Sequence, residues 1–338
     1  MAGTGKAVAE EWLRAAGALR ERGRLAWALG EALERAWAGG EPGEALGVLE
    51  GIVARAVSGV EAARAEACAV EPRAERKAGA VAGDAAGVWR QLQQTDLASR
   101  AVPAVWFASG GIGGVRATLA LGLKADGGKQ VLGVWSGGAG EQRCAQGVCA
   151  DLRGRGMGRG RAWLAVTEGE RALDLALEQQ WGQRVVVAHC QETVATAVTG
   201  HLPVGQRPDA AARLKAAWES PDAVGARREL SALAQSWQEE HPGAANRLLG
   251  ECEASTAAAA LGVHGGLAQR LRSAAPARHL LGRCLPAARG LAGREAMAAV
   301  AGEARAREEA FRRVPERAAV EMLVRLLAQR MEVLSRQG

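Results

Sequence analysis

Three short apolar runs separated by glycine turns occupy residues 104 to 135, and they restrict the fold more tightly than any other stretch of the chain. Ala104-Val105-Trp106-Phe107 is closed by Ser109-Gly110-Gly111, Val115 to Leu123 follows Gly113-Gly114, and Gln130 to Trp135 follows Asp126-Gly127-Gly128. Asp-Gly between two strand-like runs is a strong hairpin signal, because tight hairpin turns need residues that tolerate positive φ. The spacing therefore predicts three strands in antiparallel succession. Beyond them the pattern alternates. Glu141 to Leu152 reads as a helix, Arg161 to Val166 as a strand, Glu170 to Trp181 as a helix and Arg184 to Ala188 as a strand. Strands alternating with helices imply right-handed crossovers and parallel pairing.

The expected class is thus α/β with a mixed sheet, in the ribonuclease H-like order of three antiparallel strands followed by strand, helix, strand. From Asp209 to about Arg272 the pattern is wholly helical, with Leu214, Trp218, Leu230, Leu233, Trp237 and Leu248-Leu249 at helix-compatible spacings and breaks at Pro221 and Pro242. From Ala277 onward it is helical again, broken at Pro286 and Pro315. At the other end, Trp12, Ala16, Leu19, Gly23, Ala26, Gly30, Leu33 and Trp37 form the seam of an amphipathic helix, and Leu46 to Val60 a second one. Two such helices suit a helical hairpin better than a helix-turn-helix reader of DNA, since periodicity alone does not favour the latter. Four regions follow: a helical N-terminal region at 1–98, a candidate for DNA binding; a core at 99–205; a helical insertion at 206–272; and C-terminal helices at 273–338 that complete the core.

Composition excludes several classes. With 338 residues and 48% hydrophobic content the chain can build a real core. Its apolar runs are too short to span a membrane, and its first residues lack the apolar stretch of a secretory signal. Six cysteines without a Cys-x-x-Cys pair fit reduced thiols rather than a disulfide scaffold or zinc ribbon, and the expected location is cytoplasmic. A net charge of +6 would ordinarily point to a polyanionic partner. Here Tyr is absent, Asn occurs only at Asn246 and Lys only at five positions, while Ala, Gly and Arg abound. That bias is what a GC-rich coding sequence produces, so the charge says less about DNA than it would elsewhere.

Collinear landmarks carry a more specific signal. Val105-Trp106-Phe107 with Ser109-Gly110, Val131 to Trp135, and Val166-Thr167-Glu168-Gly169 with Ala172-Leu173 resemble the strands and turns that bear the first acids of the mutator-type family of bacterial insertion-sequence transposases. Cys190, His201-Leu202-Pro203, Trp218 to Asp222, His241-Pro242 and Leu261-Gly262-Val263 resemble later landmarks, Leu271 to Pro276 resembles the approach to the last acid, and Ala310 to Val314 a stretch beyond it. The resemblance spans roughly residues 85 to 315. It implies DNA as partner, DNA transposition as activity, and two Asp and one Glu holding Mg²⁺ or Mn²⁺ for phosphodiester chemistry.

By the same resemblance the three acid positions fall on Ser109, Glu168 and Arg278, and the motif histidine on Thr193. Glu168 is then a vestigial site residue and Arg278 a cation in the metal's place, paired with Glu168. The three are expected to converge on one cleft. Neither Asp126, a turn former, nor Glu170, an acid at a helix start, is expected to rescue metal binding. No metal site and no cofactor is therefore expected in this chain. His189 and Cys190 point to opposite faces of a strand and do not suit a single ion. Arg153, Arg155, Arg159 and Arg161, interleaved with glycine in a connecting loop, are candidate DNA-binding residues. The reading is a transposase-family DNA-binding protein without catalysis, open to a homo-oligomeric state. Its alternatives are an active strand-transfer enzyme using other acids, and a non-functional insertion-sequence remnant.

Overall fold

A computed structural model describes residues 85–263, 265–308 and 317–337. The chain divides into two compact units, Met1–Arg76 and Lys77–Gly338. The N-terminal seam of Trp12 to Trp37, the helix from Leu46 to Val60 and the break at Pro315 lie outside the described residues.

Five strands form one mixed sheet: β1 (Ala104–Ile112), β2 (Val115–Leu123), β3 (Lys129–Ser136), β4 (Trp163–Thr167) and β5 (Val185–His189), in the order β3-β2-β1-β4-β5. The first three are antiparallel neighbours, and β4 and β5 run parallel to β1. Gly113 and Gly114, at φ +56° and +83°, make the two-residue turn between β1 and β2. Between β2 and β3 the Asp126 carboxylate accepts the Gly128 N–H at 2.8 Å, the turn-forming role its position suggests.

One strand is longer than its pattern implies. Ser109-Gly110-Gly111 does not end β1 but continues the ladder, Ser109 opposite Thr118 and Gly110 opposite Ala117. The small residues serve packing instead, since a Cβ on Gly110 would lie 3.0 Å from the Leu285 side chain of the covering helical layer.

Strand alternation sorts the core into two layers. Ala104, Trp106 and Ala108 of β1, with Leu164 and Val166 of β4, face a cluster built by α1 (Ala85–Gln94) and the late helices α8 (Gly265–Leu271), α9 (Ala275–Cys284), α10 (Gly293–Arg307) and α11 (Arg317–Gln337). Val105 and Phe107, with Trp163 and Ala165, face α2 (Gln142–Gly154) and α3 (Arg171–Trp181). Beside the edge strand β5, against which α7 packs, α4 (Gln191–Thr199), α5 (Arg207–Trp218), α6 (Ala223–Ser236) and α7 (Pro242–Ala260) share a third apolar cluster. The helical insertion thus draws in α4, whose Val194 and Val198 pack with Trp218 and Leu248. Likewise α1 joins the sheet rather than an N-terminal region ending at residue 98. Leu92 is buried there, and the Trp89 indole donates to the Val134 carbonyl at 3.1 Å.

The loop between α2 and β4 is tightly built. Gly158 stands at φ +67°, and a Cβ there would lie 2.7 Å from the Trp163 indole nitrogen and 2.9 Å from that of Trp181. Gly158→Ala is accordingly expected to lower the unfolding free energy by about 2–4 kcal/mol, from left-handed strain plus overpacking. Urea denaturation measures this, and a change near zero would mean the turn relaxes freely.

Candidate functional site

Parallel strand β4 ends at Thr167, and the chain turns through Glu168 and Gly169 into α3. Gly169 adopts φ +79°, and a Cβ there would meet the His189 ring at 3.4 Å. The Thr167 hydroxyl donates to Asp174 at 2.8 Å, and the Glu168 N–H donates to the Glu170 carboxylate at 3.0 Å. The turn is therefore anchored at both ends, which leaves the Glu168 side chain directed at α9.

There Arg278 meets it. Its Nε donates to Glu168 Oε1 at 2.8 Å, across 110 residues of sequence. The same guanidinium reaches Glu192 Oε2 at 3.3 Å through Nη1 and Cys190 Sγ at 3.4 Å through Nη2. Burial opposes the charge on Arg278, yet the facing Glu168 carboxylate and Cys190 sulfur together outweigh it and raise the guanidinium above its ordinary pKa. Glu168 is 17% exposed and Arg278 39%, so the pair lies at the edge of the protein interior rather than deep within it.

Ser109 does not join them. Alternation along β1 sets it on the face of Val105 and Phe107, toward α2. Its hydroxyl accepts from the Ala139 N–H at 2.8 Å and shares a 2.9 Å hydrogen bond with the Thr118 hydroxyl, which also donates to the Gly137 carbonyl at 2.9 Å. Of the three positions expected to converge, the structure brings Glu168 and Arg278 together, while Ser109 clips β1 to β2 and to the loop after β3. The cause is the two-residue period of the strand, which turns position 109 away from the face on which α9 packs.

A second cluster lies beside the pair and was not legible in advance. His189 ends β5 with its ring between two carboxylates, Asp174 of α3 at 3.0 Å from Nε2 and Glu251 of α7 at 2.5 Å from Nδ1. Arg247 adds a 2.9 Å ion pair to Glu251. Burial depresses the imidazole pKa, but the hydrogen bonds from Asp174 and Glu251 more than reverse this and lift it to about 9. Glu251 is correspondingly lowered: burial raises it, and the His189 contact outweighs the burial. The available clue was a buried acid on the α7 stripe between Leu248 and Cys252, but its partner is distant in sequence. Cys190, by contrast, follows the end of β5 and precedes α4, and its sulfur accepts from Arg278.

Burial, reinforced by the neighbouring negative charges of Glu168 and Asp174, lifts Glu170 to about 6. An acid whose folded pKa exceeds its unfolded value destabilises the fold once ionised, so its contribution is lost as pH rises from 4.5 through 6. Glu170→Gln is expected to stabilise the protein by about 1–2 kcal/mol at pH 8 and by nothing at pH 4. Urea titrations at the two pH values measure it. Equal effects at both would show that packing, not charge, governs the site.

These residues do not fit a divalent metal. The two carboxylates that meet there, Glu168 and Glu192, are both engaged by the Arg278 guanidinium, at 2.8 and 3.3 Å. Among the described residues no group of three His, Cys, Asp or Glu side chains is placed to hold a metal ion. The five described cysteines, Cys144, Cys149, Cys190, Cys252 and Cys284, are buried free thiols. The four arginines between residues 153 and 161, Arg153 in the last turn of α2 and the others in the loop after it, are not equivalent. Arg155 is internal, its side chain 8% exposed and bonded to Asp151 and to the Leu92 carbonyl, whereas Arg153, Arg159 and Arg161 are exposed. Among the described residues no helix is long and apolar enough to cross a membrane.

No curated protein matches the chain. Residues 109–259, from the latter part of β1 to the end of α7, match the family model described as Transposase, Mutator family.

Proposed function

We propose that the chain is a transposase-family DNA-binding protein that no longer carries out metal-dependent strand transfer. The observation that carries this reading is the 2.8 Å ion pair between Glu168 and Arg278. At positions where family resemblance calls for an acid on each side of a metal pair, one side is cationic and satisfies the other. A divalent ion entering there meets a positive charge to which both nearby carboxylates, Glu168 and Glu192, are already committed. The strand order β3-β2-β1-β4-β5 supports a ribonuclease H-like core, and the packed apolar layers favour a retained fold over a decayed remnant.

The test is a binding and nicking assay of the purified full chain on DNA bearing terminal inverted repeats, with Mg²⁺ or Mn²⁺. Binding without nicking is the expected result. Metal-dependent cutting by the unaltered protein would overturn the reading. A calorimetric Mn²⁺ titration of the double variant Glu168→Asp/Arg278→Glu, which alters the two positions that meet, extends the test, and uptake exceeding that of the parent is expected.

A further inference from the structure

The end of the sheet remote from Glu168 carries a different surface. Trp163 pairs with Val185 at the start of parallel strands β4 and β5, so Ala162 and Arg184 stand level, and Arg161 precedes them on the same edge. Glu168 follows the far end of β4, about 17 Å away along a five-residue strand. Arg153, from the last turn of α2, donates to the Gln180 carbonyl and side chain at the end of α3. Arg330 of α11 donates to the Gln183 carbonyl at 3.1 Å. Around residues 180–184, therefore, Arg153, Arg161, Arg184 and Arg330 gather, with Arg159 on the adjoining turn.

The turn is preorganised. Met157 is 3% exposed, its N–H donates to the Leu152 carbonyl at 2.9 Å, and its own carbonyl accepts the Trp181 indole N–H at 2.8 Å. Successive turns follow, with Arg159 N–H to the Gly156 carbonyl at 3.2 Å and Arg161 N–H to that of Gly158 at 3.3 Å. Arg159 and Arg161 thus project from a fixed backbone on either side of anchored glycines. Among the described residues none of Arg153, Arg159, Arg161 and Arg184 has a carboxylate partner, whereas Arg116, Arg155 and Arg278 elsewhere are each ion-paired.

We propose that this rim of Arg153, Arg159, Arg161 and Arg184, flanked by Arg330, holds the phosphodiester backbone of a nucleic-acid duplex independently of base sequence and apart from the Glu168–Arg278 pair. The inference rests on the DNA-binding reading above and adds where the DNA lies. Guanidinium forks match phosphate oxygens, and several on one rigid edge match a repeating anion. A duplex is favoured over a single strand because Trp163 and Trp181, the aromatic side chains beneath the turn, are 1% and 3% exposed and offer no face for an unpaired base to stack on.

The experiment titrates the full chain with a fluorescent duplex of arbitrary sequence between about 50 and 200 mM salt. The variant Arg159→Ala/Arg161→Ala/Arg184→Ala is compared with the parent and with Arg294→Ala on α10, and far-ultraviolet circular dichroism verifies that each is folded. The triple variant is expected to bind at least about tenfold more weakly, with a salt slope shallower by about 2–3, since each lost phosphate contact removes about 0.9. Arg294→Ala keeps the parental slope. Duplex binding by the parent with an unchanged slope in the triple variant overturns this inference and leaves the DNA-binding reading standing. Tighter binding to a single strand, or to vesicles of anionic lipid, overturns the choice of duplex backbone. Failure of the parent to bind any nucleic acid overturns both.

Discussion

Unfolding free energy is expected to fall by about 3 kcal/mol as pH rises from 6.5 to beyond 9, because His189 is held protonated in the fold. Its ring lies between Asp174 and Glu251, and their hydrogen bonds, against the opposing effect of burial, lift it from 6.5 to about 9. A base with a raised folded pKa stabilises fully below its unfolded value and loses that contribution through its folded one. The effect is an interior one: the His189 side chain is 13% exposed and Glu251 6%. Asp174 from α3 and Glu251 from α7 face the ring, with Arg247 behind Glu251, and Glu178, Arg227 and Glu253 line the adjoining cleft. His189→Ala leaves two carboxylates together without their shared cation and is expected to cost about 3–5 kcal/mol at pH 6. Adding Asp174→Asn and Glu251→Gln should recover part of that loss. A flat stability profile from pH 6 to 10 in the parent would show that the imidazole is not charged. Because the Gly169 turn rests on this ring, the same variant is expected to loosen the Glu168–Arg278 contact.

A loss of similar size is expected from Trp106→Ala. Trp106 is fully buried on the face of β1 covered by the late helices, and its indole donates to the Arg270 carbonyl at 3.1 Å, at the end of α8. Lys129 lies over the ring at 5.6 Å from its centroid. Truncation opens a cavity and leaves that carbonyl without its donor, for about 3–5 kcal/mol. Trp106→Phe keeps most of the volume and loses the N–H, for about 1–2 kcal/mol. Urea unfolding ranks the two variants, and equal costs would mean that the hydrogen bond rather than the packing holds α8 against the sheet. Since α8 leads directly into α9, this contact also sets where Arg278 emerges.

The Glu168–Arg278 pair changes how the family resemblance is to be read. Two of the positions expected to carry acids form a mutually satisfied ion pair, and the third, Ser109, is a cross-strand clip with Thr118 and Ala139. The Glu168 and Arg278 charges are therefore partnered, and these contacts hold β1, β2, β4 and α9 together.

Residues 104–135 disclosed the antiparallel half of the sheet because the information is local: glycine and Asp-Gly turns act within two residues, and strand faces repeat every second one. The helices of 209–272 were equally legible from their 3.6-residue stripes. The length of β1 was not, because Gly110 looks like a terminator until the Leu285 side chain packed against it is known. The assignment of α1 to the sheet depended in the same way on Trp89 meeting the Val134 carbonyl. At the site, Ser109, Glu168 and Arg278 were marked through the family resemblance, by their place in a collinear pattern. Packing between distant elements is what gives Arg278 its contacts to Glu192 and Cys190, turns Ser109 away, encloses Arg155 and sets His189 between Asp174 and Glu251. Those outcomes depend on which faces of distant elements meet, 62 residues apart for His189 and Glu251 and 110 for Glu168 and Arg278, and no local period in the chain encodes that meeting.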